Sequence, residues 1–141
     1  MAKVRILASL ILFALAACSS GGGSGGGGMT CTKSGDLTGS RAACAGSLDS
    51  LSGNKSLAFD MSHVAVEGSV NVKITVSVKS GAVKVSFRNR EGKTISGDAS
   101  ANQPLTLEDT VFVDSSYHAR IDLDSAHGIS MGVVYAAQFT G

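Results

Sequence analysis

The sequence predicts an all-β fold, a small antiparallel β-sandwich, and three observations support it. Apolar and polar residues alternate with a period of two along several stretches after residue 57, which is typical of half-buried strands. These stretches recur roughly every ten residues and are separated by turn-forming residues. Ser, Thr, Gly and Val are abundant and only 16% of the residues are charged, a composition that favours strands over helices.

The clearest pair of strands lies within residues 70–87. Over 70–78 every second residue is apolar, which predicts a strand with one buried face. Ser80-Gly81 supplies turn-forming residues, and the alternation resumes over 83–87. The pattern therefore predicts a hairpin of two paired strands.

Shorter runs of alternation predict the other strands, at residues 57–61, 64–66, 93–95, 105–107, 110–113, 119–123 and 129–139. A break in phase at Ser62-His63 predicts a bulge or a strand break. Pro104 directly precedes a strand, where its missing N–H is tolerated. Such a series fits an immunoglobulin-like or similar sandwich, although a small barrel has the same periodicity and stays open as an alternative.

The first seventeen residues have the features of an export signal. Lys3 and Arg5 form a short positive region, and residues 6–17 are apolar apart from Ser9. A helix of this length would rise about 18 Å, short of the ~30 Å hydrocarbon core of a bilayer. Residues 1–17 are therefore expected to be a signal peptide rather than a membrane span.

The residues that follow specify how the chain would be anchored. Leu15-Ala16-Ala17-Cys18 resembles the lipobox of bacterial lipoproteins, and the resemblance covers residues 1 to about 20. It implies cleavage before Cys18, acylation of that cysteine and attachment to the cell envelope. Ser19 stands where an Asp would imply retention in the inner membrane, so the outer membrane is expected if the organism has one. The alternative is an ordinary signal peptide with a chance cysteine.

A flexible linker is expected between the anchor and the domain, over residues 18–30. Residues 21–28 are seven glycines and one serine, which bury no side chains and gain nothing by ordering. About twelve such residues have an end-to-end distance near 20 Å. The linker would therefore hold the domain clear of the lipid headgroups.

Residues 31–56 are rich in Gly, Ser and Ala and show no sustained periodicity. We expect an irregular segment with one helical turn at 41–45, followed by the β-sandwich domain at 57–141. Cys31 and Cys44 are expected to form a disulfide, since paired cysteines in exported chains usually do. Closing a loop of about thirteen residues stabilises by roughly 3 kcal/mol. A redox pair or a metal site is the alternative, but the spacing is not C-x-x-C.

The net charge argues against a nucleic-acid partner. The chain has 12 Lys+Arg against 11 Asp+Glu, and loss of Lys3 and Arg5 would leave 10 against 11, a charge of −1. A protein this close to neutrality has no general attraction to polyanions.

Neither a metal nor a cofactor is expected. His118, Asp122 and Asp124 share one strand face, and His127 follows in a turn. Same-face residues two apart are separated by about 6.6 Å along a strand, so His118 and Asp122 would be too distant to share an ion.

The sequence also predicts that the protein is not an enzyme. Residues 128–132 match the G-x-S-x-G pattern of hydrolases around Ser130. That nucleophile elbow requires a strand-to-helix turn, however, and a strand follows here. An envelope hydrolase therefore stands only as a second alternative.

A basic face is the best candidate binding surface. Positive residues cluster in and beside the predicted hairpin, and those expected to contact a partner are Lys73, Lys84, Arg88 and Arg90. Such a face would dock on an acidic partner, although cross-strand ion pairs or two solvated faces would give the same pattern. The expected function is a lipid-anchored module that binds an envelope or surface protein or supports an assembly. The first alternative is an inhibitor of an enzyme that attacks the envelope, such as lysozyme.

Overall fold

The computed structural model describes residues 28–36, 39–62, 64 and 68–141. Within these residues all seven regular elements are strands, which confirms the predicted all-β fold. They are β1 (Met29–Asp36), β2 (Gly39–Asp60), β3 (Ser69–Ser80), β4 (Ala82–Arg88), β5 (Thr94–Ser100), β6 (Leu105–Phe112) and β7 (His118–Thr140). The predicted signal peptide, Cys18 and nearly all of the linker lie outside the described residues, as does the side chain of His127. The described part of the chain contains no helix able to cross a membrane.

Two long antiparallel strands, β2 and β7, form the frame of the fold. Residues 41–52 of β2 pair with 129–140 of β7, and residues 54–60 pair with 118–124. Between these two parts the register shifts at Ser52/Asn54, so both strands change direction together at what is called here the bend. The sheet is thereby folded into two leaves.

The larger leaf has the strand order β1-β2-β7-β3-β6, and the smaller leaf adds β4 and β5 beside β7. The core lies between the leaves and is built from the alternate apolar residues of every strand from β2 to β7. Phe59 of the smaller leaf and Phe139 of the larger leaf bring their ring centroids within 5.1 Å. This contact shows that the leaves face each other as a β-sandwich.

The predicted hairpin at 70–87 is wrong, although both of its strands are present. β3 pairs with β6 and β7, whereas β4 pairs with β5 and β7. Gly81, with a φ of 84°, carries the chain from one leaf to the other. The alternation located each strand correctly because both bury an apolar face, but it does not reveal which neighbour a strand pairs with.

The irregular segment and the helical turn predicted within residues 31–56 are also wrong, because β1 and most of β2 occupy this range. The inward residues of β2 include Ala42, Cys44 and Gly46, whose small side chains hide the period of two. Gly46 must be small, since a Cβ there would collide with the ring of Tyr135. The predicted disulfide between Cys31 and Cys44 is confirmed, and it joins directly opposite residues of β1 and β2.

Candidate functional site

The bend is stabilised by one buried serine. The backbone N–H of Gly53 donates to Oγ of Ser125 at 2.9 Å, and this hydroxyl lies 3.0 Å from the carbonyl oxygen of Gly128, to which it donates. Gly53 and Gly128 both have positive φ, at 75° and 99°, a conformation that glycine adopts without strain. The bend is therefore a specific turn of both strands rather than a break in the sheet.

Ser130, the serine of the G-x-S-x-G match, is a structural residue. It is buried, and its hydroxyl donates to the carbonyl oxygen of Ala82 at 2.7 Å. This bond ties β7 to the start of β4. A buried hydroxyl used in this way is not presented to a substrate.

A cleft opens at the end of the sandwich opposite the bend. β4 pairs with β7 only between Asp122 and Asp124. Nearer the start of β7, Val113, which directly follows β6, forms an isolated bridge with Ala119 instead. The gap between β4 and the segment around Val113, along the same edge of β7, forms a cleft of about 220 Å³. It is lined by Arg88, Phe112, Asp114, His118, Arg120 and Asp122. It is called the arginine cleft below.

Asp114 organises the floor of the arginine cleft. Its carboxylate accepts hydrogen bonds from the backbone N–H groups of His118 at 3.0 Å and Ser116 at 2.9 Å. Nε of Arg120 donates to the same carboxylate at 3.4 Å. The bond from the His118 backbone, with those from Ser116 and Arg120, lowers the pKa of Asp114 below its ordinary value despite some desolvation. Asp114 is therefore ionised at neutral pH and holds Arg120 in place.

Two exposed aromatic side chains stand at this end of the molecule. Phe112 is 48% exposed and Tyr117, which directly precedes His118, is 55% exposed. Tyr117 has a φ of 61°, a left-handed conformation uncommon for a bulky residue. Its backbone is held there by Met61, whose N–H donates to the Tyr117 carbonyl at 2.7 Å, and by its own N–H bond to the Asp114 carbonyl at 2.9 Å.

The residues weighed for a metal site do not converge. Nδ1 of His118 is 3.9 Å from the Asp114 carboxylate, and Asp124 lies opposite Lys84 on the neighbouring strand. Among the residues that the structure describes, no group of three or more His, Cys, Asp or Glu side chains gathers.

The four residues predicted to form a basic face do not share one surface. Lys73 projects from the larger leaf, pairs with Glu108 at 2.8 Å and lines a shallow groove of about 450 Å³. Lys84 and Arg88 project from the smaller leaf, and only Arg88 reaches the arginine cleft. Arg90 lies in the β4–β5 turn, where its backbone N–H donates to Thr110 at 3.3 Å. The face is divided because β3 and β4 belong to different leaves.

The sequence prediction missed most of the arginine cleft. Phe112, Asp114 and Arg120 come together only through the bridge between β6 and β7, which no local pattern shows. The one available signal is Asp114-Ser115-Ser116-Tyr117, whose composition is typical of a turn built on an aspartate side chain.

No protein-family model matches the chain, and no curated protein matches it at a significant level. Several solved structures overlap with it loosely. A xylan-binding domain from Paenibacillus barcinonensis has 13% identity and a TM-score of 0.38, over 82% of this chain and 83% of that one. A family 11 carbohydrate-binding module from a cellulosomal cellulase of Clostridium thermocellum has 11% identity and a TM-score of 0.31, over 82% and 83%.

The capsular polysaccharide assembling protein CapF from Staphylococcus aureus overlaps 76% of this chain with 13% identity and a TM-score of 0.37. The present chain spans only 28% of the length of CapF. At these identities and TM-scores, the ligands and activities of these proteins do not transfer to this one.

Proposed function

We propose that the protein is a lipid-anchored module of the bacterial cell envelope, held through Cys18, that binds another protein and is not an enzyme. The observation that carries this proposal is the grouping of two arginines and an exposed phenylalanine in one open cleft, beside an exposed tyrosine. Aromatic and arginine side chains are enriched in protein interfaces and supply most of the binding hot spots.

The charges of the arginine cleft indicate the kind of partner. Asp114 is already paired with Arg120. Neither Asp122, the other carboxylate of the cleft, nor another carboxylate of the described residues forms an ion pair with Arg88. The guanidinium of Arg88 can therefore receive a carboxylate of the partner in a bidentate pair. Phe112 offers an apolar surface in the same cleft. A segment with an acidic residue next to an apolar one fits both features.

The environment of the candidate nucleophile favours binding over catalysis. Ser130 is buried and bonded to Ala82, so it supports the fold rather than a reaction. His118, the histidine of the arginine cleft, faces a carboxylate whose hydrogen bonds are already used by Ser116 and Arg120. Neither residue is arranged as a nucleophile with its base.

Crosslinking in intact cells, followed by purification of the tagged lipoprotein and mass spectrometry, tests this function. We expect one dominant protein partner, whose recovery falls at least about tenfold with Arg88→Glu because a repelled carboxylate costs more than 1.4 kcal/mol. Lys73→Glu is the matched control, since it makes the same charge reversal on the other leaf. Capture that survives Arg88→Glu, or recovery of the lipoprotein alone, would overturn the proposal.

A further inference from the structure

We propose that the bend rests on the lipid surface, with three apolar side chains of β7 seated among the headgroups. These side chains, called the bend patch, belong to Ile129, Met131 and Val134. The inference rests on the proposed lipid anchor at Cys18 and adds a second, non-covalent contact with the same membrane. It gives the domain a defined orientation in which the arginine cleft points away from the bilayer.

The three side chains of the bend patch are exposed, and the side chains opposite them are too short to cover them. Ile129, Met131 and Val134 are 63%, 45% and 50% exposed. Each lies opposite a serine on every strand that pairs with it there, and these serines are Ser47, Ser50 and Ser52 of β2 and Ser77 and Ser80 of β3. Short hydroxyl side chains leave the three apolar groups standing above the surface of the sheet.

The backbone beneath the bend patch is fixed. Ser130, between two patch residues, is buried and hydrogen-bonded to Ala82. Gly132 adopts a φ of 60°, and after it Val133 is buried and Val134 is exposed. The exposure of Ile129 and Met131 is therefore built into the strand geometry and does not result from fraying.

The linker enters the domain on the side of the bend patch. β1 begins with Met29 opposite Gly46 and runs antiparallel to β2, so the start of β1 is its end nearer the bend. Gly46 in turn lies opposite Tyr135, which places Met29 two strand spacings, or about 10 Å, from the backbone next to Val134.

The linker length brings the bend patch within reach of the bilayer. Nine residues lie between Cys18 and Gly28, and the ten residue steps from Cys18 to Gly28 can span at most about 35 Å. A lipid on Cys18 would therefore hold the patch at a high effective concentration relative to the membrane, so that even a weak apolar contact forms.

Electrostatic attraction is not expected to drive the proposed contact between the bend patch and the lipid surface. Lys79 packs against Gly132, and Asp49 lies between Leu48 and Ser50, which pair with the residues on either side of Gly132. The two charges offset each other at the patch. We therefore expect docking by apolar burial, with little dependence on salt or on anionic lipid.

A lipid surface fits the bend patch better than a second copy of the chain. Three side chains are far fewer than the roughly 20–30 residues that each partner contributes to a stable protein interface. An interfacial contact needs only a few apolar side chains once an anchor holds the protein nearby.

The experiment uses the full mature lipoprotein, with its lipid verified by intact mass, in phosphatidylcholine vesicles that contain nitroxide-labelled lipids. A fluorophore is attached through Met131→Cys or, as the control at the opposite end, through Thr94→Cys. We expect the label at position 131 to be quenched several-fold more than the label at position 94, in low and high salt alike. Combining Ile129→Ser and Val134→Ser with the label at position 131 should reduce its quenching to the control level.

Equal quenching at the two positions on a lipidated protein would contradict docking of the bend patch on lipid. It would not contradict the lipid anchor or protein binding at the arginine cleft. Concentration-dependent self-quenching between labels at position 131 would contradict lipid docking and favour self-association of the protein. Absence of lipid from the mature chain would instead remove the anchor on which both proposals rest.

Discussion

The two ends of the sandwich are made by the same strand, yet they differ in chemistry and in what stabilises them. β7 starts in the arginine cleft with His118 and Arg120 and, after the bend, presents Ile129 and Met131 to solvent. One end therefore displays arginines and aromatic rings, and the other displays aliphatic side chains among serines. A single bent strand pair thus separates two surfaces of different chemistry, which the two proposals assign to two different partners.

The interactions that stabilise the interior also differ between the two ends. The end with the arginine cleft is supported by the contact between Phe59 and Phe139 in the core. The bend is supported by the hydroxyl of Ser125, which bonds to both strands. Packing should therefore dominate the stability of one end and hydrogen bonding that of the other, and substitutions can test this in order of expected effect.

The largest effect is expected from Phe59→Ala. It removes a fully buried ring that packs on Phe139, and such truncations lower the free energy of unfolding by about 3–5 kcal/mol. Denaturant-induced unfolding measures the change. Ala58→Ser, on the exposed face of the same strand, is the control and should change stability little. A loss below about 1 kcal/mol for Phe59→Ala would mean that packing does not dominate at this end.

A smaller effect is expected from Ser125→Ala at the bend. It leaves the N–H of Gly53 without its partner, which lowers the free energy of unfolding by about 1–3 kcal/mol. Hydrogen exchange should accelerate at Gly53 more than at Phe59. Ser52→Ala is the control, because Ser52 is exposed, and it should change the free energy of unfolding little. If that control were equally destabilising, the special role of the Ser125 hydroxyl would be refuted.

Much of the fold could be predicted from the sequence, because β3, β4 and the second half of β7 alternate large apolar residues with polar ones. β1 could not, because its side chains at residues 29–35 are all exposed, and the first half of β2 could not, because its inward positions carry Ala42, Cys44 and Gly46. Pairing also escaped prediction, since both β3 and β4 bury one apolar face whichever leaf they join. Of the predicted binding residues, only Arg88 lies in the arginine cleft, and the rest of that cleft depends on long-range contacts.

The smallest effect concerns pH at the arginine cleft. The folded-state pKa of Asp114 lies below its ordinary value of 3.8, so its contribution to stability is fully present above that value. The contribution is lost as pH falls through the folded pKa. The difference in unfolding free energy between the wild type and Asp114→Asn should therefore shrink below about pH 4. A difference that grew on acidification would contradict the ionised, hydrogen-bonded Asp114.

The most direct test of opposite orientation is photo-crosslinking in intact cells from a diazirine amino acid placed at position 112 or at position 131. We expect the probe replacing Phe112 to yield an adduct with a protein partner and the probe replacing Met131 to yield adducts with phospholipid. Protein adducts at both positions, or phospholipid adducts at position 112 and none at 131, would contradict a domain that lies with its bend on the membrane and its arginine cleft exposed to a partner.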